Sequence, residues 1–278
     1  LNEYKIGPIS QYVFDSENLQ VSNIDKVVVR NKGLKDDIVM WATQGVSPSA
    51  LNKYINCSLA FYYYYIANIR EQAEVEEFAD ASTLGTAIHK ALEDYFPNGI
   101  ITEDDYDTMK VSIPKAIESN FINVFSLDNL KGKNYLLLQI AKKVTTDFLQ
   151  MEKQLVQDAR KKNQTLEVLE KELDLEGKIK VQDILFNLVG SADRIDRFGD
   201  LLRIIDYKSG KVEQKDVTFE NWDSLIESPE KGKAFQLLMY AYLYLTKHPE
   251  FLEETVIAGN YSFKNIGLGL LTVSEQKE

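Results

Sequence analysis

The sequence predicts an α/β or α+β domain built around a central mixed β-sheet. Before residue 165 apolar residues recur at helical spacing, whereas after it apolar and polar residues alternate, as they do in half-buried strands. The predicted order is helices, three strands, a helix and a strand, with no internal repeat. With 278 residues, 44% of them hydrophobic, the chain can bury a substantial core as one large domain or two modest ones.

Three helical stretches account for most of the first half. Ser47 followed by Pro48 is typical of a helix start, and we expect one helix from there to Tyr65. A second helix is predicted over 85–96, before a Pro-Asn-Gly stop, and a long one over 135–159. The first half is therefore expected to be mainly helical.

The sequence also suggests a division of the chain. Residues 1–46 are predicted to form a peripheral segment, with short strands over 6–14 and 26–30. Residues 47–278 are predicted to form the main domain, with a helical insertion at about 101–162.

Alternating patterns predict the strands of the second half. Phe198-Gly199-Asp200 is a turn signal, so the strands on either side of it should form an antiparallel hairpin. The predicted strands are 166–173, 184–195, 201–208 and 256–263, with a helix over 233–244 before the last of them.

The hairpin brings charged residues together. Asp206 and Lys208 are two positions apart, so they share one face of a strand, and Asp193 should lie opposite Asp206 at roughly 5 Å. Facing carboxylates destabilise a sheet unless a cation neutralises them, and oxygen ligands favour Mg²⁺ or Mn²⁺. Such an ion, with Lys208 beside it, suits phosphodiester hydrolysis. From the residues alone, an exposed Asp206–Lys208 ion pair is an equally good interpretation.

The charge of the chain restricts how it could meet nucleic acid. Its net charge of −11 has the wrong sign for binding DNA by bulk electrostatics. We therefore expect bound cations to act locally, or another domain or subunit to deliver the nucleic acid.

Several features bear on location. The longest apolar runs fall short of the roughly 20 residues that a membrane span needs, and the first residues do not resemble a signal peptide. Cys57 is the single cysteine, which excludes an intrachain disulfide and fits a reducing, cytoplasmic location. The chain does not begin with Met, so we expect it to be a piece of a longer polypeptide.

Five sequence motifs together resemble one nuclease family. Residues 190–196 and 204–211 resemble the GxxDRxD and DYKTG signatures of RecB-like PD-(D/E)XK nucleases, the AddA/AddB branch in particular. Residues 47–63 resemble the opening helix of that family, 85–89 its GTxxH motif and 236–240 its QLxxY motif. The resemblance covers about 47–265 and implies a restriction-endonuclease-like core, a mixed sheet flanked by helices, with a large helical N-terminal half.

The resemblance also implies roles for individual residues. His89, Asp193 and Asp206 would bind Mg²⁺ or Mn²⁺ with the backbone carbonyl of Tyr207, and Lys208 would be the catalytic lysine. Without the resemblance, His89 is more simply a partner of Glu93 or a core histidine. The remaining candidates are Gln236 and Tyr240, which would border the active site and touch the DNA backbone, and Glu170 as a less secure additional acid.

The cysteine content departs from many AddB-type relatives, which hold an iron–sulphur cluster on four cysteines. Cys57 occupies the position of the first, but one thiolate cannot hold such a cluster. Either the cluster is absent or the three partner cysteines lie beyond Glu278; of these we expect the absence of the cluster, with a free buried thiol at Cys57.

These observations predict a Mg²⁺-dependent deoxyribonuclease of DNA repair or recombination, with an exonuclease favoured over an endonuclease and a helicase domain or subunit as partner. The alternative is a catalytically silent RecB-like module that binds DNA ends or acts as a scaffold.

Two other interpretations of the sequence are weak. Ser209-Gly210-Lys211 lacks the upstream glycine of a phosphate-binding P-loop, and two histidines with one cysteine offer no zinc-ligand spacing.

Overall fold

The computed structural model describes residues 32–70, 81–125 and 130–276. The strands predicted over 6–14 and 26–30 lie outside these residues. The helices are α1 (Lys32–Gln44), α2 (Pro48–Asn56), α3 (Ser58–Phe61), α4 (Ala81–Tyr95), α5 (Glu103–Phe125), α6 (Gly132–Arg160), α7 (Gln214–Val217), α8 (Trp222–Glu227) and α9 (Gly232–Lys247). The strands are β1 (Gly99–Ile100), β2 (Leu166–Val181), β3 (Ile184–Phe198), β4 (Leu201–Lys208), β5 (Thr218–Phe219), β6 (Thr255–Ser262), β7 (Leu270–Thr272) and β8 (Ser274–Glu275).

The predicted central mixed sheet is confirmed. Six strands follow the order β1-β2-β3-β4-β6-β7, and β5 pairs with β8 in a small second sheet. In the six-stranded sheet all neighbours are antiparallel except β4 and β6. Parallel neighbours need a crossover connection, and α9 lies within it.

The β3–β4 hairpin has the predicted register. Phe198 pairs with Leu201 and Arg194 with Ile205, and the turn between the strands contains Gly199 at a φ of +59°. Glycine adopts this left-handed conformation without steric penalty. The strand predicted over 166–173 is longer than expected, because β2 continues to Val181 and forms a second hairpin with β3.

Two hydrophobic cores lie against the sheet. One joins α4, α5 and α6 to side chains such as Ile205 and Tyr207, and the other joins α9 to side chains such as Ile204 and Leu202. Ile204 and Ile205 are adjacent in sequence, so the alternation of a strand sends them to opposite cores. The fold thus buries both faces of β4.

The described part of the segment predicted as peripheral belongs to the second core. Ala42 on α1 and Val46 are fully buried, and Val46 forms a parallel bridge with Leu188 on β3. A domain boundary at residue 46 would cut through this packing.

The single helix predicted from Ser47 to Tyr65 is wrong. Ser47 does cap α2 by accepting a hydrogen bond from the Ala50 amide, but Cys57 is extended, at φ −160° and ψ 104°, and ends that helix. The Cys57 sulphur then accepts from the Ala60 amide at 3.5 Å and begins α3, after which Tyr62–Ile66 form a π-helical turn. Cys57 is exposed, so the predicted buried thiol is also wrong.

Among the described helices, each is too short or too polar to cross a membrane.

Candidate metal-binding active site

The predicted site residues meet where β3 and β4 separate. Backbone pairing of these strands ends at Arg194 and Ile205, one position before Asp193 and Asp206. The Asp193 carboxylate takes the place of a backbone acceptor, because it accepts a hydrogen bond from the Tyr207 amide. Asp193 is therefore fixed between the strands, close to the position that the hairpin register predicts.

His89 and Glu172 join Asp193 from two other elements. His89 Nδ1 on α4 lies 3.4 Å from Asp193 Oδ1. A ligand atom from each of His89, Glu172 and Asp193 falls within 4.8 Å of the others. This group has the residue types and spacing of a site for a divalent cation.

Glu172 reaches the group through an irregular part of β2. A bulge lies between Val168 and Glu170, and the Glu172 backbone adopts a left-handed φ of +44°. Residues other than glycine seldom adopt this conformation, and where they do it often marks a functional site. Glu170 is exposed and lies outside this group, in which the acid from β2 is Glu172. The role of Glu170 as an additional acid stays a prediction.

Asp206 lies in the centre of a polar network. Its side chain is 6% exposed, and Lys208 Nζ lies 2.8 Å from Oδ2. The Gln236 amide donates to Asp206 Oδ1 at 3.4 Å and to the Tyr240 hydroxyl at 2.6 Å. The predicted one-face arrangement of Gln236 and Tyr240 on α9 is thus observed, and their proposed roles stay predictions.

Asn260 is a member of this network that sequence reasoning missed. It is fully buried on β6, directly beside Asp206 in the parallel pairing, and its Nδ2 donates to Asp206 Oδ2 at 2.8 Å. Its Oδ1 is buried without a hydrogen-bond partner. An amide residue in the mainly apolar strand β6 was the available signal.

The pKa values of Asp206, Glu172 and His89 are all raised above their usual values. Burial raises the pKa of Asp206 to about 6, with Lys208 opposing the shift and Asp193 adding to it. Burial and then the charge of Asp193 raise the pKa of Glu172 to about 7. Although burial lowers the pKa of His89, its hydrogen bond with Asp193 and the nearby carboxylates raise it overall. Burial is thus the largest cause of the raised pKa values of Asp206 and Glu172, and the neighbouring Asp193 carboxylate adds to both.

Close backbone approaches hold these elements in place. A Cβ on Gly85 of α4 would lie 2.8 Å from the Ser209 hydroxyl oxygen, so the absence of a side chain lets α4 approach the end of β4. A Cβ on Gly190 would lie 2.6 Å from a ring carbon of Tyr240. These contacts explain why glycine occupies the first position of two of the motifs.

The opposite face of the hairpin carries a separate buried network. Arg194 donates two hydrogen bonds to Glu152 of α6, at 2.6 and 2.8 Å. Arg203 donates to both carboxylate oxygens of Asp196, at 2.5 and 2.9 Å, and Arg194 Nε lies 2.8 Å from Asp196. Arg194 and Asp196 of the 190–196 motif thus form one buried ionic network with Glu152 and Arg203.

A cleft of about 500 Å³ opens beside the acidic group. It is lined on one side by His89 and Glu172, and on the other by Lys208 and the loop that follows it. Residues from α4, β2 and β4 therefore line a space that an external ligand can enter.

A family model matches residues 45–276, and its description is PD-(D/E)XK nuclease superfamily. The chain belongs to this superfamily. No curated protein matches the chain significantly. Membership confirms the predicted PD-(D/E)XK superfamily, while the RecB-like branch stays a prediction. It supports a nuclease-type hydrolase, with the restriction-endonuclease-like fold that the mixed sheet displays.

The residues present fit a divalent metal ion of the kind that such nucleases use. The donors are carboxylate oxygens and one imidazole nitrogen, and the raised pKa values of Glu172 and Asp206 show that a cation would relieve unfavourable charge. His89, Glu172 and Asp193 would hold the ion, with Asp206 beside them. Participation of the Tyr207 carbonyl stays a prediction.

Proposed function

We propose that this PD-(D/E)XK protein is a Mg²⁺- or Mn²⁺-dependent deoxyribonuclease of the RecB-like branch, acting in DNA repair or recombination in the cytoplasm. The observation that carries the proposal is the convergence of three acids, His89 and Lys208 beside an open cleft. Oxygen-rich ligand sets favour hard ions such as Mg²⁺ and Mn²⁺.

The reaction would be hydrolysis of a phosphodiester. Water adds to phosphorus, one P–O bond to a sugar oxygen breaks, and the products are a phosphate monoester and a hydroxyl group that takes up a proton. A divalent ion held by the acidic group would supply Lewis-acid polarisation of the phosphate and neutralise its charge.

Lys208 is placed to act directly on the reacting phosphate. Its ammonium lies beside Asp206, lines the cleft and is 28% exposed, so it can reach a bound ligand. There it would stabilise negative charge that develops on the phosphate oxygens, or orient the attacking water. Gln236, which contacts both Asp206 and Tyr240, would fix the carboxylate that Lys208 touches and border the DNA.

We also propose that another domain or subunit, such as a helicase, delivers the DNA, and that cleavage is exonucleolytic. The net charge of −11 supports delivery, because such a chain repels the phosphate backbone at long range.

The experiment is a cleavage assay of the full chain on linear and circular DNA, single and double stranded, with Mg²⁺, Mn²⁺ or a chelator. We expect metal-dependent cleavage of linear DNA and a loss of about 10²–10³-fold in Lys208→Ala, comparable to the removal of one charge-stabilising donor. Lys143→Ala, an exposed lysine on α6 paired with Asp147, serves as the matched control and should retain activity. Cleavage that survives both chelation and Lys208→Ala would refute the proposal. A protein that binds DNA ends without cleaving them would be the silent module instead.

A further inference from the structure

A second cavity lies next to the active site and has no role in the chemistry described above. It encloses about 660 Å³ between α2, α9 and the segment around α7. Six of its lining residues are Asn52, Lys53, Asn56, Lys215, Lys233 and Gln236. Gln236 contacts Asp206, so this cavity begins where the acidic site ends.

The cleft and the second cavity are adjacent. Lys233 lines both the cleft beside His89 and this second cavity. A chain-like ligand that fills the cleft can therefore continue past Lys233 into the second cavity. A phosphodiester strand is such a ligand, since it repeats one anionic group along its length.

The lining of the second cavity suits a phosphate. Lys53, Lys215 and Lys233 supply positive charge and Asn52 and Asn56 supply amide groups, in a protein whose net charge is −11. Ammonium and amide groups are the usual partners of phosphate oxygens in nucleic-acid complexes. The local charge is thus opposite in sign to that of the whole chain.

Two carboxylates, those of Asp216 and Glu230, also line the cavity, so its lining has three lysines against two carboxylates. Asp216 accepts a hydrogen bond from the Glu213 amide at 3.1 Å within a capping box, and it lies 3.4 Å from Lys233. The side chain of Lys215 is 76% exposed and pairs with Glu213 at 3.1 Å. Exposed ion pairs of this kind are weak, so a phosphate can replace Glu213 as the partner of Lys215.

The cavity has rigid walls. Asn52 Nδ2 donates to the Gly232 carbonyl at 2.9 Å, which attaches α2 to the start of α9. A Cβ on Gly232 would lie 2.9 Å from the same nitrogen, so the glycine permits this contact. Lys53 Nζ lies 4.5 Å from the centre of the Tyr64 ring, which restrains its side chain. The positive groups are therefore placed before a ligand binds.

We propose that the cavity of Lys53, Lys215 and Lys233 is a binding subsite for a phosphate of the nucleic-acid strand that is cut at the acidic site. The inference rests on the proposed nuclease function and adds to it a fixed position for the uncleaved part of the strand. Its effect is on substrate binding and not on the chemical step.

The test uses the full chain carrying Lys53→Gln and Lys215→Gln, which remove the charge and keep a polar side chain. The matched control carries Lys143→Gln and Lys178→Gln, two exposed lysines outside the cavity. Each pair is measured for cleavage kinetics. Each pair is also placed in a Lys208→Ala background, where affinity for fluorescent single-stranded and duplex oligonucleotides is followed at several salt concentrations.

We expect the cavity variant to raise KM on the order of tenfold with kcat unchanged, since two charge-assisted contacts are lost. Its salt dependence of log affinity should fall by about 1.4 for single strands or about 1.8 for duplex, relative to the control. The arm that shows the drop identifies the form of nucleic acid bound.

Equal KM and equal salt dependence in both variants, with the unmodified protein still cleaving, would overturn the subsite and leave the nuclease function intact. If the unmodified protein neither cleaves nor binds nucleic acid, both proposals are wrong. A fall in kcat alone would also overturn the subsite, because it would show an effect on the chemical step.

Discussion

The two sides of the β3–β4 hairpin bury charge in opposite ways. Toward α6, Arg194 and Arg203 match Glu152 and Asp196, and although burial opposes it, the charge of Arg194 holds the pKa of Glu152 below its usual value. At the site, three carboxylates lie beside Lys208 and His89, and the pKa values of two of them are raised, chiefly by burial.

One short stretch of sequence thus contributes to both an acidic site and a neutral buried network. Asp193 and Arg194 are neighbours, yet the alternation of the strand sends one to an unbalanced site and the other to a neutral network. A neutral buried network stabilises a fold without a ligand. An acidic group with too little positive charge is completed by a cation from outside.

The largest loss of stability is expected when one charge is removed from the network of Arg194 and Glu152. Glu152→Leu leaves Arg194 buried and without its main partner, so we expect the free energy of unfolding in urea to fall by about 3–5 kcal/mol. Glu118→Ala, which removes an exposed partner of Lys142, should change it by less than about 1 kcal/mol. The double variant Glu152→Leu with Arg194→Met should recover much of the loss. An equal effect of Glu152→Leu and Glu118→Ala would show that the network does not contribute as described.

At the acidic site, a second test changes a residue that contacts Asp206 without binding the metal itself. Asn260 donates to Asp206 and would bind no metal, so Asn260→Leu should weaken Mn²⁺ binding by about 10–100-fold in calorimetry. Thr145→Val, another buried polar residue distant from the site, is the control. An unchanged Mn²⁺ affinity in Asn260→Leu would mean that Asp206 is oriented without Asn260.

The features that depend on local periodicity could be predicted from the sequence. The hairpin register, the shared face of Asp206 and Lys208, and the shared face of Gln236 and Tyr240 all follow from strand or helix geometry, and the structure has each of them. His89 could be linked to Asp193 only through the family resemblance, since 104 positions separate them.

Irregular backbone and contacts distant in sequence account for the failures. The bulge after Val168 and the left-handed Glu172 change which acid reaches the site, and no alternation rule predicts a bulge. The break at Cys57 is set by competing caps on two short helices. Glu152 and Asn260 reach the hairpin from α6 and β6, and only the tertiary fold brings them there.

The smallest expected effect is on pH dependence. A carboxyl group whose pKa rises on folding favours the folded state when protonated, so its contribution is lost as pH rises from its unfolded to its folded pKa. For Asp206 the window is 3.8 to about 6, and for Glu172 it is 4.5 to about 7. Relative to Asp206→Asn with Glu172→Gln, the metal-free protein should thus become progressively less stable from pH 4 to pH 8. A difference in unfolding free energy that stays constant over this range would contradict the unbalanced charge.

The most direct test is calorimetric titration of the full chain with Mn²⁺, comparing Asp193→Asn with Glu170→Gln. Each variant removes one negative charge, but Asp193 belongs to the acidic group and Glu170 is exposed outside it. The account predicts that the unmodified protein and Glu170→Gln bind Mn²⁺ with equal affinity, and that Asp193→Asn loses at least about 100-fold, as expected when a carboxylate ligand is removed. Equal Mn²⁺ binding by Asp193→Asn and the unmodified protein would contradict the claim that this end of the hairpin is a metal site.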